Sequence, residues 1–203
     1  MKLPTKSPPP HYSRRKLLGD WSQSAHLYAC LQHSKKLHPS FDRVLRGLLT
    51  VDPRAHVLLL EGARTHLGRW NRTLGQDLLG RLLFLPRMNQ STLLSLLRVC
   101  DAFLDTFPWG SGVTSFEAFS VCLPVVTLPS RVTVLQLSLG QYRRMGMDMD
   151  LVATDEAAYV ALAARLGSDR AFREMMRRRI CFKKSLLFEQ SDTVIEWQNF
   201  LMG

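Results

Sequence analysis

The sequence predicts an α/β fold in which a parallel sheet is joined by crossover helices. Short apolar runs of strand length alternate along the chain with stretches whose apolar residues fall at helical spacing. Two further observations agree. The 203 residues, 46% of them apolar and 22% charged, suffice to bury the core of one large domain. No internal repeat or low-complexity block divides them, which argues against a solenoid. The same composition excludes an acidic disordered tail, a collagen-like fibre and a disulfide-stapled miniprotein.

Residues 1–22 read as a basic, proline-rich linker ahead of one domain over residues 23–203. Lys2, Lys6, Arg14, Arg15 and Lys16 precede the first acid, Asp20, around the run Pro8-Pro9-Pro10. The segment lacks the apolar stretch of a secretory signal. Candidate strands follow at residues 26–31, 56–61, 82–85, 102–105 and 125–128, with a fainter one at 151–153. Phe41, Val44, Leu45 and Leu48 form an i, i+3, i+4, i+7 stripe. Pro39-Ser40 opens that helix, Asp42 sits in its first turn where the dipole favours an anion, and Asp52-Pro53 ends it. Asn89 or Ser91 caps a helix carrying Leu93, Leu94, Leu96 and Leu97. Asp155 opens another, with Tyr159, Leu162 and Leu166 on one face and Gly167 as its stop. A last helical stretch over residues 192–201, with Val194, Ile195, Trp197 and Leu201, is expected to fold back across the domain.

Lys and Arg number 27 against 17 Asp and Glu, a formal charge of +10. Much of the excess lies in residues 170–184, where Arg170, Arg173, Arg177, Arg178, Arg179, Lys183 and Lys184 face only Glu174. A nucleic-acid surface is one reading. Phe172, Met175, Met176, Ile180 and Phe182 interleave at helical spacing and favour the other, a surface helix with one buried stripe and a solvated basic face. Cys30, Cys100, Cys122 and Cys181 are far apart, form no CxxC pair and have no histidine at ligand spacing. They read as free thiols of a reducing compartment. No apolar run approaches the roughly 18 residues needed to cross a bilayer.

In open parallel sheets ligands bind beyond the carboxyl ends of the strands, so the loops there are the place to look. After residue 105 comes Thr106-Phe107-Pro108-Trp109-Gly110-Ser111-Gly112-Val113-Thr114-Ser115-Phe116-Glu117, a Gly/Ser turn running into a helix start. Unpaired N–H groups and the positive end of the helix suit an anion; glycines that merely relieve backbone strain are the alternative. The turn has neither a Walker lysine nor a GxGxxG pattern. Glu117 either completes a capping box with Thr114 as N-cap or accepts the hydroxyls of a ribose. In the loop after the first strand, a lysine reaches a diphosphate across the cleft or stays in solvent.

Several blocks, read together, carry a resemblance. They are Tyr28-Ala29-Cys30-Leu31-Gln32 with Lys36-Leu37-His38-Pro39, Leu83-Phe84-Leu85-Pro86, Asp101-Ala102-Phe103-Leu104-Asp105, Gly112-Val113-Thr114-Ser115-Phe116-Glu117 and Leu123-Pro124-Val125-Val126-Thr127-Leu128-Pro129. In order and spacing, over about residues 26–202, they resemble the C-terminal catalytic lobe of O-linked N-acetylglucosamine transferases of the SPINDLY type. Leu166-Gly167-Ser168-Asp169 and Leu187-Phe188-Glu189 look like the closing helices of that family.

The resemblance implies a GT-B architecture, two Rossmann-like lobes across a cleft, of which this chain is the nucleotide-sugar lobe. It implies UDP-N-acetylglucosamine as donor, a protein Ser or Thr hydroxyl as acceptor, no metal, and a cytoplasmic or nuclear setting without membrane or nucleic-acid partners. Carried over by position, Lys36 holds the diphosphate with Gln32 or His33 beside it. Ser111, Gly112, Val113, Thr114 and Ser115 form the phosphate turn, Glu117 binds the ribose, and Met88 with Arg87 and Asn89 borders the uracil. Val113 departs from the polar residue common in the family, Ser111 and Cys122 from glycines, and Gln136 from an arginine; each departure weakens the expected donor grip. The family's N-terminal lobe and tetratricopeptide repeats are not in this sequence. It therefore reads as the donor half of an enzyme or, alternatively, as a non-catalytic nucleotide-binding or protein-interaction module.

Overall fold

The computed structural model describes residues 13–19, 24–131, 136–188 and 191–203. Five strands, β1 (His26–Cys30), β2 (Ala55–Leu60), β3 (Leu82–Leu85), β4 (Ala102–Leu104) and β5 (Val125–Val126), form one sheet in the order β3-β2-β1-β4-β5. Every pairing is parallel, with Tyr28 of β1 beside Val57 on one side and Ala102 on the other. The expected strand at 151–153 is reduced to a single parallel bridge, Thr127 to Val152. The chain begins in the middle of the sheet, builds outward through β2 and β3, then returns to β1's other side for β4 and β5. That reversal opens a crevice beyond the carboxyl ends of β1 and β4.

Local signals explain most of the helices. In α2 (Pro39–Val51) the stripe Phe41, Val44, Leu45 and Leu48 is buried as its spacing predicts, and His38 caps the N-terminus. Asp42 does more than favour the dipole: its buried carboxylate accepts hydrogen bonds from Arg69, Trp70 and Thr73 in or just after α3 (Leu67–Thr73). A short α4 (Gln76–Leu79) leads to β3. Asn89 rather than Ser91 caps α5 (Gln90–Val99), accepting from the Thr92 amide at 2.9 Å. After α6 (Val113–Ser120) and α7 (Leu137–Arg144), α8 (Glu156–Ser168) opens on Asp155, which accepts from the Ala158 amide at 2.7 Å. Gly167 does not stop α8, contrary to expectation. It lies in the last turn because a Cβ there would sit 2.0 Å from the Tyr28 Oη.

The basic stretch forms α9 (Arg170–Lys183), with Phe172, Met176 and Ile180 buried, followed by a 3-10 turn over Lys184–Leu187. Its basic face is not simply solvated. Arg173 donates to the Leu166 and Gly167 carbonyls at the end of α8, Arg177 to Cys100 O after α5, Lys183 to Gly146 O after α7 and Lys184 to Ser120 O at the end of α6. Arg81 treats the end of α2 alike, through the Leu49 and Asp52 carbonyls. Helix C-termini carry unpaired carbonyls and partial negative charge, so these cations are spent on the carboxyl ends of five helices, α2, α5, α6, α7 and α8. This corrects both the nucleic-acid reading and the solvated-face reading for most of the cluster.

Three further expectations change. The final helix, α10 (Ser191–Met202), buries no residue, and Trp197 and Phe200 stand 60% and 77% exposed. Its apolar residues lie on most sides of the helix rather than on one stripe, so no single face can seal it against the domain. Cys122 and Cys181 form a disulfide with their Cα atoms 5.0 Å apart, leaving Cys30 and Cys100 as buried thiols. The partners are separated by 59 residues, so chain spacing carried no sign of them. Within the linker-like segment, Arg14–Leu18 form a short helix, α1, and Arg14 binds Asp101 at 2.5 Å; residues 1–12 and 20–22 lie outside the described residues. Among the described residues, no helix is long and apolar enough to cross a membrane.

Candidate functional site

The crevice is bounded by the loops that follow β1 and β4. After β1 the chain makes a 3-10 turn over Ser34–Lys36, capped by His33, whose ring nitrogen accepts from the Lys35 amide at 3.2 Å. The turn aims Lys36 across the crevice, where its Nζ donates to Gly110 O at 3.0 Å. Two loops 74 residues apart thus meet through one lysine. Partial burial lowers the Lys36 pKa, and the nearby Asp105 carboxylate works against that shift.

Asp105, at the carboxyl end of β4, organises the second loop. Its buried carboxylate accepts from the Ser111 amide at 2.6 Å and the Thr127 hydroxyl at 2.9 Å. Burial raises its pKa, and these hydrogen bonds oppose the rise. Ser111, so held, delivers Gly112 as the N-cap of α6 with no side-chain cap. The Ser115 hydroxyl donates to Gly112 O at 2.7 Å and so is spent on the turn itself. The amides of Val113, Thr114 and Ser115 precede Phe116, whose N–H makes the helix's first return bond to Gly112 O at 3.4 Å. These leading N–H groups and the positive end of the dipole favour an anion in front of α6.

Glu117 does not form the capping box, because Thr114 lies inside the helix and Gly112 caps it. The Glu117 carboxyl is buried instead beside Gln90, the first residue of α5, whose Nε2 donates to it at 3.4 Å. Burial raises its pKa against that hydrogen bond. Met88, in the loop just before α5, is half-buried against the core. Gln32 is buried at the end of β1's loop with its Nε2 unpartnered among the described residues.

Of the sequence-predicted residues, the fold brings Lys36 onto the turn that contains Ser111, Gly112, Val113, Thr114 and Ser115, and sets Gln32 in the same crevice-bounding loop. Glu117 and Met88 flank the start of α5. His33 turns to the exposed side, where its ring serves the cap. Val113 is 66% exposed at the helix start and offers an amide but no polar side chain. Two organising groups escaped sequence reasoning. Asp105 left a trace, an acid closing an apolar strand; Gln90 left none.

Residues 73–195 match glycosyl transferase family 41. Over 78 residues the chain is 33% identical to a protein of Hordeum vulgare described as a probable UDP-N-acetylglucosamine–peptide N-acetylglucosaminyltransferase SPINDLY; the match covers 38% of this chain and 8% of that one. The fold superposes on a mutant O-GlcNAc transferase of Thermobaculum terrenum with a TM-score of 0.73 at 22% identity, covering 92% of this chain and 37% of that one. A UDP-forming trehalose-phosphate synthase of Burkholderia vietnamiensis gives 0.64 at 14% identity, covering 93% and 48%. The chain therefore spans less than half the length of each of these relatives.

Proposed function

The chain belongs to glycosyl transferase family 41 and has the α/β fold of one GT-B lobe, and from that premise we propose that it is a donor-binding lobe. Its donor is UDP-N-acetylglucosamine and the acceptor a serine or threonine hydroxyl of a protein. The observation that carries this reading is the Lys36 bond to Gly110 O, which draws a cation across the switch point onto the turn that begins α6. An arriving diphosphate takes Lys36 from that carbonyl and receives the leading amides of α6. As the glycosidic bond breaks, negative charge grows on the UDP leaving group, and a lysine with a helix N-terminus stabilises it with no divalent cation. Glu117, once ionised, accepts the ribose hydroxyls, Met88 borders the base, and the unspent Gln32 amide donates to the phosphates.

Transfer also needs the second lobe, which binds the acceptor and closes the cleft against water. The exposed apolar side chains of α10 suit such a neighbour or a repeat region. They also favour the second reading, a protein-interaction module whose chemistry has lapsed. A cytoplasmic or nuclear setting goes with the transferase; the Cys122–Cys181 bond weighs against a strictly reducing one.

Titration calorimetry with UDP and UDP-N-acetylglucosamine tests the proposal. Saturable heat is expected, unchanged by EDTA and weakened at least tenfold by Lys36→Ala, since a charge-assisted hydrogen bond contributes about 1.5–3 kcal/mol. No heat at millimolar UDP leaves the interaction module standing.

A further inference from the structure

The amino ends of the strands hold a second polar cavity, remote from the crevice and unused by the proposed donor site. Its volume is about 550 Å³, and its walls include Arg14, Arg15, Arg54, Arg170 and Arg173, with Asp101 the one acid. Asp101 is fully engaged. Its carboxylate accepts from the Leu27 amide at 2.8 Å, grips Arg14 at 2.5 and 3.0 Å, and faces Arg173 Nε at 3.3 Å. Two guanidinium groups are thereby fixed before any ligand arrives. Arg14 keeps a buried Nε unpartnered among the described residues.

The other three arginines differ from the cations that cap helix ends. Arg173, Arg177, Lys183, Lys184 and Arg81 cap helix ends, whereas Arg15, Arg54 and Arg170 have no acidic partner and no carbonyl partner for their side chains among the described residues. The nearby acids are taken: Asp52 by His26 and Tyr28, Asp169 by the Phe172 amide and Arg165. Five arginines against one carboxylate leave a net four positive charges around one cavity, with Arg15, Arg54 and Arg170 exposed at its wall. Such crowding is unfavourable until an anion relieves it.

We propose that this cavity is an anion site for a compact oligophosphate, either free or carried as the phosphate chain of a nucleotide. The guanidinium fork matches phosphate oxygens bidentately. A space of that volume is roughly 8 Å across, whereas acidic side chains on one face of an extended peptide recur only every ~6.6 Å. An acidic peptide therefore places about two charges where an oligophosphate places four.

The test uses the full chain carrying Lys36→Ala, so that the donor site contributes little, and reads calorimetric heat with tripolyphosphate, with ATP and with a hexaglutamate peptide. Saturable binding of either phosphate compound is expected, falling steeply with added salt. It should weaken at least tenfold when Arg15, Arg54 and Arg170 are all changed to Gln, with the melting temperature of the anion-free protein unchanged or raised, because these side chains make no hydrogen bond or ion pair among the described residues and their loss relieves like-charge repulsion. Tighter binding of ATP assigns a nucleotide as the source; tighter binding of tripolyphosphate assigns the free oligophosphate. No heat with either at millimolar concentration, equal binding of hexaglutamate, or indifference to the triple substitution overturns the site.

Discussion

The two ends of this sheet treat buried carboxylates in opposite ways. At the amino end, Asp101 is shared between Arg14 and Arg173, and Asp52 is bound by His26 at 2.7 Å and Tyr28 at 2.7 Å. Burial by itself pushes Asp52 up, but those hydrogen bonds and the imidazole beside it bring its pKa below the ordinary value. At the carboxyl end, Asp105 and Glu117 are buried with hydrogen bonds but, among the described residues, no salt bridge, and burial wins in both, raising their pKa values. The difference separates two uses of charge. Where ions pair and helix ends are capped, polar groups hold the fold together; where carboxyls have no ion pair around an exposed helix start, burial favours their neutral form, the state from which the proposed donor site would bind.

The largest expected effect breaks the amino end. Asp101→Ala strands Arg14 and Arg173 around a lost buried partner and should cost about 3–5 kcal/mol in urea denaturation. A loss under about 1 kcal/mol would erase the contrast between the ends. Next, Gly167→Ala forces a methyl group onto the Tyr28 hydroxyl and should cost about 1–3 kcal/mol. Adding Tyr28→Phe should recover part of that cost, because the atom met at 2.0 Å is gone; strict additivity in the double-mutant cycle would refute the contact.

The smallest effect sharpens the comparison through pH. As pH falls through 3.8, the unfolded chain protonates Asp52 before the folded protein does. Its contribution is therefore present above 3.8 and lost below it. Asp105 behaves inversely: above 3.8 the folded protein keeps a proton that the unfolded chain has released, so stability declines as pH rises from there. Denaturation at a series of pH values should show Asp105→Asn removing a downward slope above 3.8 and Asp52→Asn removing an upward slope below it. Each slope is at most about 1.4 kcal/mol per pH unit. Equal slopes in both variants would show that the two ends titrate alike.

Much of the architecture was legible locally. The stripe of α2, the strand over residues 82–85 and the Asp155 cap needed no partner to be read, since each follows from the period or chemistry of its own element. The turn at residues 110–112 was legible as a helix start. The role of Glu117 was not, because Thr-x-x-Glu fits a capping box equally well and only the Gly112 cap, which puts Thr114 inside α6, decides against it. The basic stretch misled for a related reason: from sequence, an arginine facing water and an arginine reaching another helix's last carbonyl look the same.

From the sequence alone come the α/β class, the parallel strands, the span of α2, the Asp155 cap and the glycine turn, because burial along one element writes its period into neighbouring residues. Tertiary structure decided that Lys36 meets Gly110, that Cys122 bonds Cys181, that Arg14 and Arg173 share Asp101, and that α10 buries none of its residues. Those pairings span 74, 59, 87 and 72 residues for the first three sets. Contacts across such separations are set by how the crossovers stack, and closing a loop of that length costs nearly the same free energy for many alternative partners.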